Sequence, residues 1–210
     1  MRPPHVTWAR VVIAVFCLAA ALALGCSSGG DSGSIGASFS ASATAPTPRL
    51  IKMIQHSKNG SHVSVDVVSY GVDTTLDMYT FAFDVLIADP TVARFVANSE
   101  VAGGVLVPFA GQSIQAIADV GTLPGGGADN SRVVVGVSKL GGGVGNGVDA
   151  ASEVVVRLTF ALQKSGSTTL TFGGSPSAQV LNSVGTPIGN ITFDAAAATL
   201  TGTQTTGGPY

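Results

Sequence analysis

The chain has 210 residues, a formal net charge of −2, only 10% charged side chains and 28 glycines. No basic stripe runs through it, which argues against a nucleic-acid partner, because phosphate binding needs clustered Lys and Arg. Low charge combined with abundant Gly, Val, Ser and Thr favours strands and tight turns, since β-branched residues fit a pleated surface and Gly serves the connections.

In chain order, Arg2 and Arg10 flank a positive start, and Val11 to Leu24 is an unbroken apolar run. The run is shorter than the roughly 20 residues of a membrane-spanning helix and fits the roughly 7–15 of a signal-peptide core. It ends at Leu22-Ala23-Leu24-Gly25-Cys26. Small residues before a cysteine at this point resemble the bacterial lipobox, with Ala23 where Leu is more usual. The resemblance implies diacylglycerol on the Cys26 sulfur, cleavage after Gly25 and acylation of the new amino terminus. Cys17 would leave with residues 1–25, so Cys26 would be the one cysteine kept. A single cysteine cannot form an internal disulfide, and a free thiol is a liability in an oxidising compartment; a lipid attachment point explains it. Ser27 rather than Asp after the cysteine leans toward the outer membrane or cell surface. Residues 26–47, rich in Ser, Gly, Ala, Thr and Pro, read as a flexible tether, because such a segment buries too little surface to offset its ordering entropy.

Residues 48–202 carry the domain, and 203–210 read as a flexible tail. Period-two alternation runs through His62–Val67, Tyr79–Val85, Val133–Val137 and Val154–Leu162. Further runs are Thr169–Phe172, Gln179–Leu181 and Ile191–Leu200. Tyr79 is expected to face the core with Phe81 and Phe83. Asn59-Gly60, Asp89-Pro90, Gly125-Gly126-Gly127, Gly141–Gly147 and Gly173-Gly174 punctuate these runs. Many half-buried strands without a convincing helix predict an all-β sandwich or barrel. For the first hairpin, a three-residue loop Lys58-Asn59-Gly60 would set Met53 opposite Val65, Lys52 opposite Asp66, and His56 opposite His62 on the exposed side. Two facing histidines lack a third metal ligand nearby, so no metal and no cofactor are expected.

Phe83–Val92, Leu140–Phe160 and Leu181–Ile188 together resemble the cohesin family. The first is Phe83-Asp84-Val85-Leu86-Ile87-Ala88-Asp89-Pro90-Thr91-Val92, similar to the family's strand ending in a Tyr-Asp-Pro-Ser type of turn, with Ala88 in place of the aromatic. The second is Leu140–Gly147 leading into Val154–Phe160. The third is Leu181-Asn182-Ser183-Val184-Gly185-Thr186-Pro187-Ile188, which looks like the late turn before the family's last strand. The resemblance implies a single jelly-roll β-sandwich of about nine antiparallel strands that docks dockerin modules, with related sandwiches among carbohydrate-binding modules. It also implies a docking face made of outward residues of the third, sixth and eighth strands: Thr80, Ala82, Asp84, then Arg132, Val134, Gly136, then Val155, Arg157, Thr159.

Three function classes are open to such a domain. An enzyme is disfavoured: beyond the two histidines there are scattered carboxylates at Asp66, Asp73, Asp77, Asp84 and Asp89, and nothing singles out a glycosidase pair. The Gly141–Gly147 cluster lacks the Lys-Ser/Thr end and following helix of a phosphate loop, and reads as a flexible connection. A polysaccharide-binding module would need flat aromatic platforms. Trp8 leaves with the signal, so Tyr70 is the candidate glycan contact. A dockerin-like protein partner fits the small, mixed face better, with the Cys26 lipid holding the module at the cell envelope.

Overall fold

The computed structural model describes residues 34–173 and 178–205. The signal segment, Cys26, the first part of the tether and the end of the tail lie outside the described residues. Fifteen strands follow one another: β1 (Ser34–Ser40), β2 (Leu50–Asn59), β3 (His62–Tyr70), β4 (Asp73–Met78), β5 (Thr80–Ile87), β6 (Ala93–Phe95), β7 (Val101–Ala102), β8 (Ser113–Thr122), β9 (Ala128–Leu140), β10 (Asn146–Val148), β11 (Ser152–Leu162), β12 (Gly166–Phe172), β13 (Gln179–Leu181), β14 (Thr192–Phe193) and β15 (Ala198–Thr205).

They form two curled sheets packed as a sandwich. The first sheet has the order β1-β15-β12-β5-β9-β8, with β13 also paired to β5; the second runs β14-β2-β3-β11-β6, with β7 also on β11. A small β4–β10 pair stands apart from both. Alternate side chains from both sheets seal the interior: Val65, Val67, Leu158 and Phe160 from one, Phe81, Phe83, Val133 and Val135 from the other. Phe172 meets Phe83 edge-on at 5.6 Å and Phe193 at 5.2 Å, the offset geometry that aromatic pairs prefer.

Several expectations are corrected. The strand count is fifteen rather than about nine, because long runs are interrupted and short bridging segments pair separately. The run Ile191–Leu200 breaks into β14 and β15 where Asp194 turns its backbone N–H to the Ile51 carbonyl. β14 lies parallel to β2, so the sheets are not wholly antiparallel. The tether gives way to strand at Ser34, whose alternation is too poor in apolar residues to signal itself; β1 pairs in register with β15, from Ser34 opposite Thr205 to Ser40 opposite Thr199. The same pairing carries ordered strand past residue 202 to Thr205.

The first hairpin has a two-residue loop, Gly60-Ser61, with Asn59 opposite His62 and Gly60 at φ +56°. From the tip, Lys58 faces Val63, which alone would leave the wrong side of β2 inward. A bulge at His56 restores it, so that Met53 faces Val67 and Ile51 faces Ser69. His56 and His62 are therefore not opposite one another. Met78, rather than Tyr79, fills the core ahead of Phe81; Tyr79 is half-buried, with its hydroxyl donating to the Gly141 carbonyl at 3.1 Å.

Candidate functional site: two outer sheet faces and the loop end

The outer face of the first sheet follows from strand register. Ala82 of β5 lies beside Gly136 of β9, and Gly136 beside Ile117 of β8. The next row toward the β1 end is Asp84, Val134 and Asp119, then Leu86 and Arg132. On the other side, Thr80 and Ser138 share a hydroxyl hydrogen bond at 2.8 Å. The centre of this face is shallow: a Cβ added at Gly136 would meet nothing within 4 Å. Exposed aliphatics surround it, with Ile117 54%, Val134 43% and Leu86 38% exposed. Arg132 pairs with the buried Asp84 carboxylate at 2.9 Å. Thr80, Ala82, Asp84, Arg132 and Val134 thus share one surface.

Val155, Arg157 and Thr159 do not join it, because β11 belongs to the second sheet. Val155 is fully buried. A bulge between Val154 and Val156 removes it from the alternation, and it joins the hydrophobic core; beside it Gly103 N–H donates to the Val155 carbonyl and Val105 N–H to that of Val154. Arg157 and Thr159 lie on the second sheet's outer face. There Arg157 donates to both Asp66 oxygens, at 2.7 and 3.3 Å, and His56 Nδ1 sits 3.2 Å from the same carboxylate. Ser64 and Thr159 hydroxyls meet at 3.2 Å. On the same sheet Lys52 is buried, with Nζ donating to the Ser42 and Thr44 carbonyls of the segment after β1. That face is occupied by its own charges.

Tyr70 closes β3 opposite Ser152 and is half-buried. Among the described residues, the aromatic pairs are made by Phe83, Phe172, Phe193, Phe95 and Phe160, without Tyr70. Among the described residues, no group of three or more His, Cys, Asp or Glu is placed to hold a metal.

The glycine-rich loop at residues 141–147 is not a loose connection. Gln112 Nε2 donates to the Gly142 carbonyl at 3.0 Å, and Lys139 Nζ donates to the Val144 carbonyl at 3.1 Å and to Asn146 Oδ1 at 2.7 Å. Asn146 Oδ1 also accepts from Val107 N–H, and Phe109 covers the Lys139 ammonium at 4.1 Å. Asp77 accepts from Gly145 N–H and from the Ser183 hydroxyl at 2.6 Å. Gly147 is required for close approach, since a Cβ there would lie 2.4 Å from Thr74 Cα. Burial pushes the Lys139 pKa down, against the opposing pull of Asp77. For Asp77, burial pushes up, but the bonds from Ser183 and Gly145 and the Lys139 charge outweigh it and hold the carboxyl below its ordinary range.

No family model and no curated protein matches the chain. Its structure is similar to that of the type II cohesin dyad of the adaptor ScaA scaffoldin from Acetivibrio cellulolyticus, at TM-score 0.49 and 12% identity over 72% of this chain. The chain spans about half of that dyad, 48% of its length. It is also similar to the sixth cohesin of scaffoldin B from the same organism, solved with a dockerin mutant, at TM-score 0.43 and 16% identity, covering 77% of this chain and 96% of that one. A cohesin module from a family 33 glycoside hydrolase of Clostridium perfringens gives TM-score 0.41 and 11% identity, covering 83% and 98%. The likeness is one of fold.

Ile117, Leu86 and Asp119 escaped the sequence reading. The alternation Gln115-Ile117-Asp119 against Ala116-Ala118-Val120 was the available signal, weakened by alanine on the inward side.

Proposed function

We propose that the chain is a non-enzymatic binding module, lipid-anchored through Cys26 at the cell envelope, that docks a dockerin-like protein partner on the outer face of its first sheet. The supporting observation is the surface itself. A shallow row of Ala82 and Gly136, rimmed by Ile117, Val134 and Leu86, offers apolar area and room for a partner's backbone to approach closely. The second sheet's outer face, filled by Asp66, Arg157, His56 and Lys52, offers neither. The partner class comes from the cohesin-like motifs at Phe83–Val92, Leu140–Phe160 and Leu181–Ile188.

Two experiments test the reading. Immobilised dockerin modules in calcium buffer should capture the parent, and Gly136→Arg should lose at least about tenfold in affinity, roughly 1.4 kcal/mol, with its melting temperature unchanged. Capture equal to the parent's removes this face from the proposal. Cells fed labelled palmitate should label the parent and not Cys26→Ser; undiminished label in the variant overturns the anchor.

A further inference from the structure

The free edge of the first sheet carries an inference independent of the docking reading. Among the described residues β8 is the last strand of its sheet, ten residues long. Which of its backbone groups are unused follows from hydrogen bonding further in. Lys139 N–H donates to the Tyr79 carbonyl beside β5, so the odd-numbered residues of β9 turn toward β5 and the even-numbered ones toward β8. Ser138, Gly136 and Val134 face Gln115, Ile117 and Asp119. The amides and carbonyls of Ile114, Ala116, Ala118 and Val120 therefore point away from the sheet. Val120 N–H is consistent with this, since it donates to the neighbouring Asp119 carboxylate rather than into the ladder.

Natural sheets protect such an edge with Lys, Pro, inward charges or a bulge. Between Ser113 and Val120 there is none of these; Asp119 is the single charge, and the register shift comes only after Val120. The inward side chains Ile114, Ala116 and Val120 pack on the core yet are only partly buried, so the rim of the interior is open here.

We infer that β8 pairs antiparallel with β8 of a second copy of this chain, about a two-fold axis through Ile117, joining the two first sheets into one. The register is selected by the side chains. To keep inward residues opposite inward ones, the axis must pass through a residue. Through Ile117, Ile117 meets Ile117, Gln115 meets Asp119 as amide donor to carboxylate, and on the inner side Ile114 meets Val120. Through Ala116, Ile117 would face Gln115, and Ser113 would face Asp119. The first register matches like with like and pairs no like charges. Ile117 is then a non-hydrogen-bonded pair, the closer of the two antiparallel spacings and within disulfide reach. A second copy so placed extends the sheet sideways and leaves Gly136 open, so Gly136→Arg tests docking away from the seam, while Ile117 borders both.

Ile117→Cys in the full chain, oxidised in cells with copper phenanthroline, should give a band of doubled mass on a non-reducing gel, above the background set by Cys17 and Cys26 in the parent. Val134→Cys, one strand further from the axis, should not. Purified full-length protein should scatter light as two chains, and Ile117→Lys, which sets two ammonium groups face to face, should scatter as one while keeping its strand circular dichroism. A parent of single-chain mass at about 0.1 mM overturns the inference. So does Val134→Cys linking as fast as Ile117→Cys, and so does a dimer that survives Ile117→Lys.

Discussion

The two sheets of this sandwich share one core and differ in what they show the solvent. The first presents small residues, hydroxyls and exposed aliphatics around Gly136, with one ion pair, Arg132–Asp84, to the side. The second presents Asp66 held by Arg157 and His56, and a lysine, Lys52, roofed by the segment after β1. Polar groups that already hold one another gain little from a partner, which would have to desolvate them first. The docking proposed above therefore falls to the sheet whose outer face is left unsatisfied by its own chain.

The largest effect should come from treating Val155 as a surface residue. Val155→Glu puts a carboxylate into the hydrophobic core at the β11 bulge. An uncompensated buried charge costs about 3–5 kcal/mol, a large share of the roughly 5–15 kcal/mol that holds an ordinary domain folded. Urea denaturation followed by circular dichroism reads this directly; a midpoint equal to the parent's would return Val155 to the surface and undo the contrast between the sheets.

A smaller effect is expected on the second outer face. Asp66→Asn removes the charge that Arg157 and His56 share, but Arg157 and His56 are each about one-third exposed and water can take over part of the loss. A destabilisation of about 1 kcal/mol follows, with dockerin capture unchanged. Lost capture in a folded Asp66→Asn protein would mean that the partner sits on the second sheet.

How much of this was legible beforehand depends on whether a feature is local. The alternation of Phe81, Phe83 and Val85, or of Leu158, Phe160 and Leu162, is a property of neighbouring residues, and it named strands and their inward faces. Val155 and the first hairpin were misread for one reason: a bulge, at Val155 in β11 and at His56 in β2, switches parity without leaving a mark in composition. Whether β11 lies beside β5 or across from it is decided by partners far along the chain, so the docking face gathered from three strands mixed two sheets. β1 and β4 are too polar to declare themselves, and they form because neighbours offer ladder bonds. The glycine cluster looked loose because glycine signals freedom in isolation; here Gly147 is needed because backbone passes backbone, and Lys139 and Asp77 fix the rest.

That loop end ties the small β4–β10 pair to the first sheet, since Asp77 lies in β4 and Lys139 in β9, and it supplies the smallest expected effect. Asp77 is held below its ordinary range in the folded chain, net of burial, by Ser183, Gly145 and Lys139. A carboxyl lowered on folding contributes stability that is present above its unfolded value, about 3.9, and disappears as pH falls through the folded value. Asp77→Asn has no such dependence at this site. The urea midpoint of the parent should therefore exceed that of Asp77→Asn at pH 7, and the gap should narrow as pH drops below about 4. Lys139 gives a slope of the same sign in a different window, since a lysine lowered by burial makes the parent gain stability as pH climbs toward its unfolded value, about 10.4. A gap that keeps its size from pH 7 to pH 3 would show that Asp77 acts by shape alone, and that the charges tying the loop to the sandwich contribute nothing to holding the two faces in place.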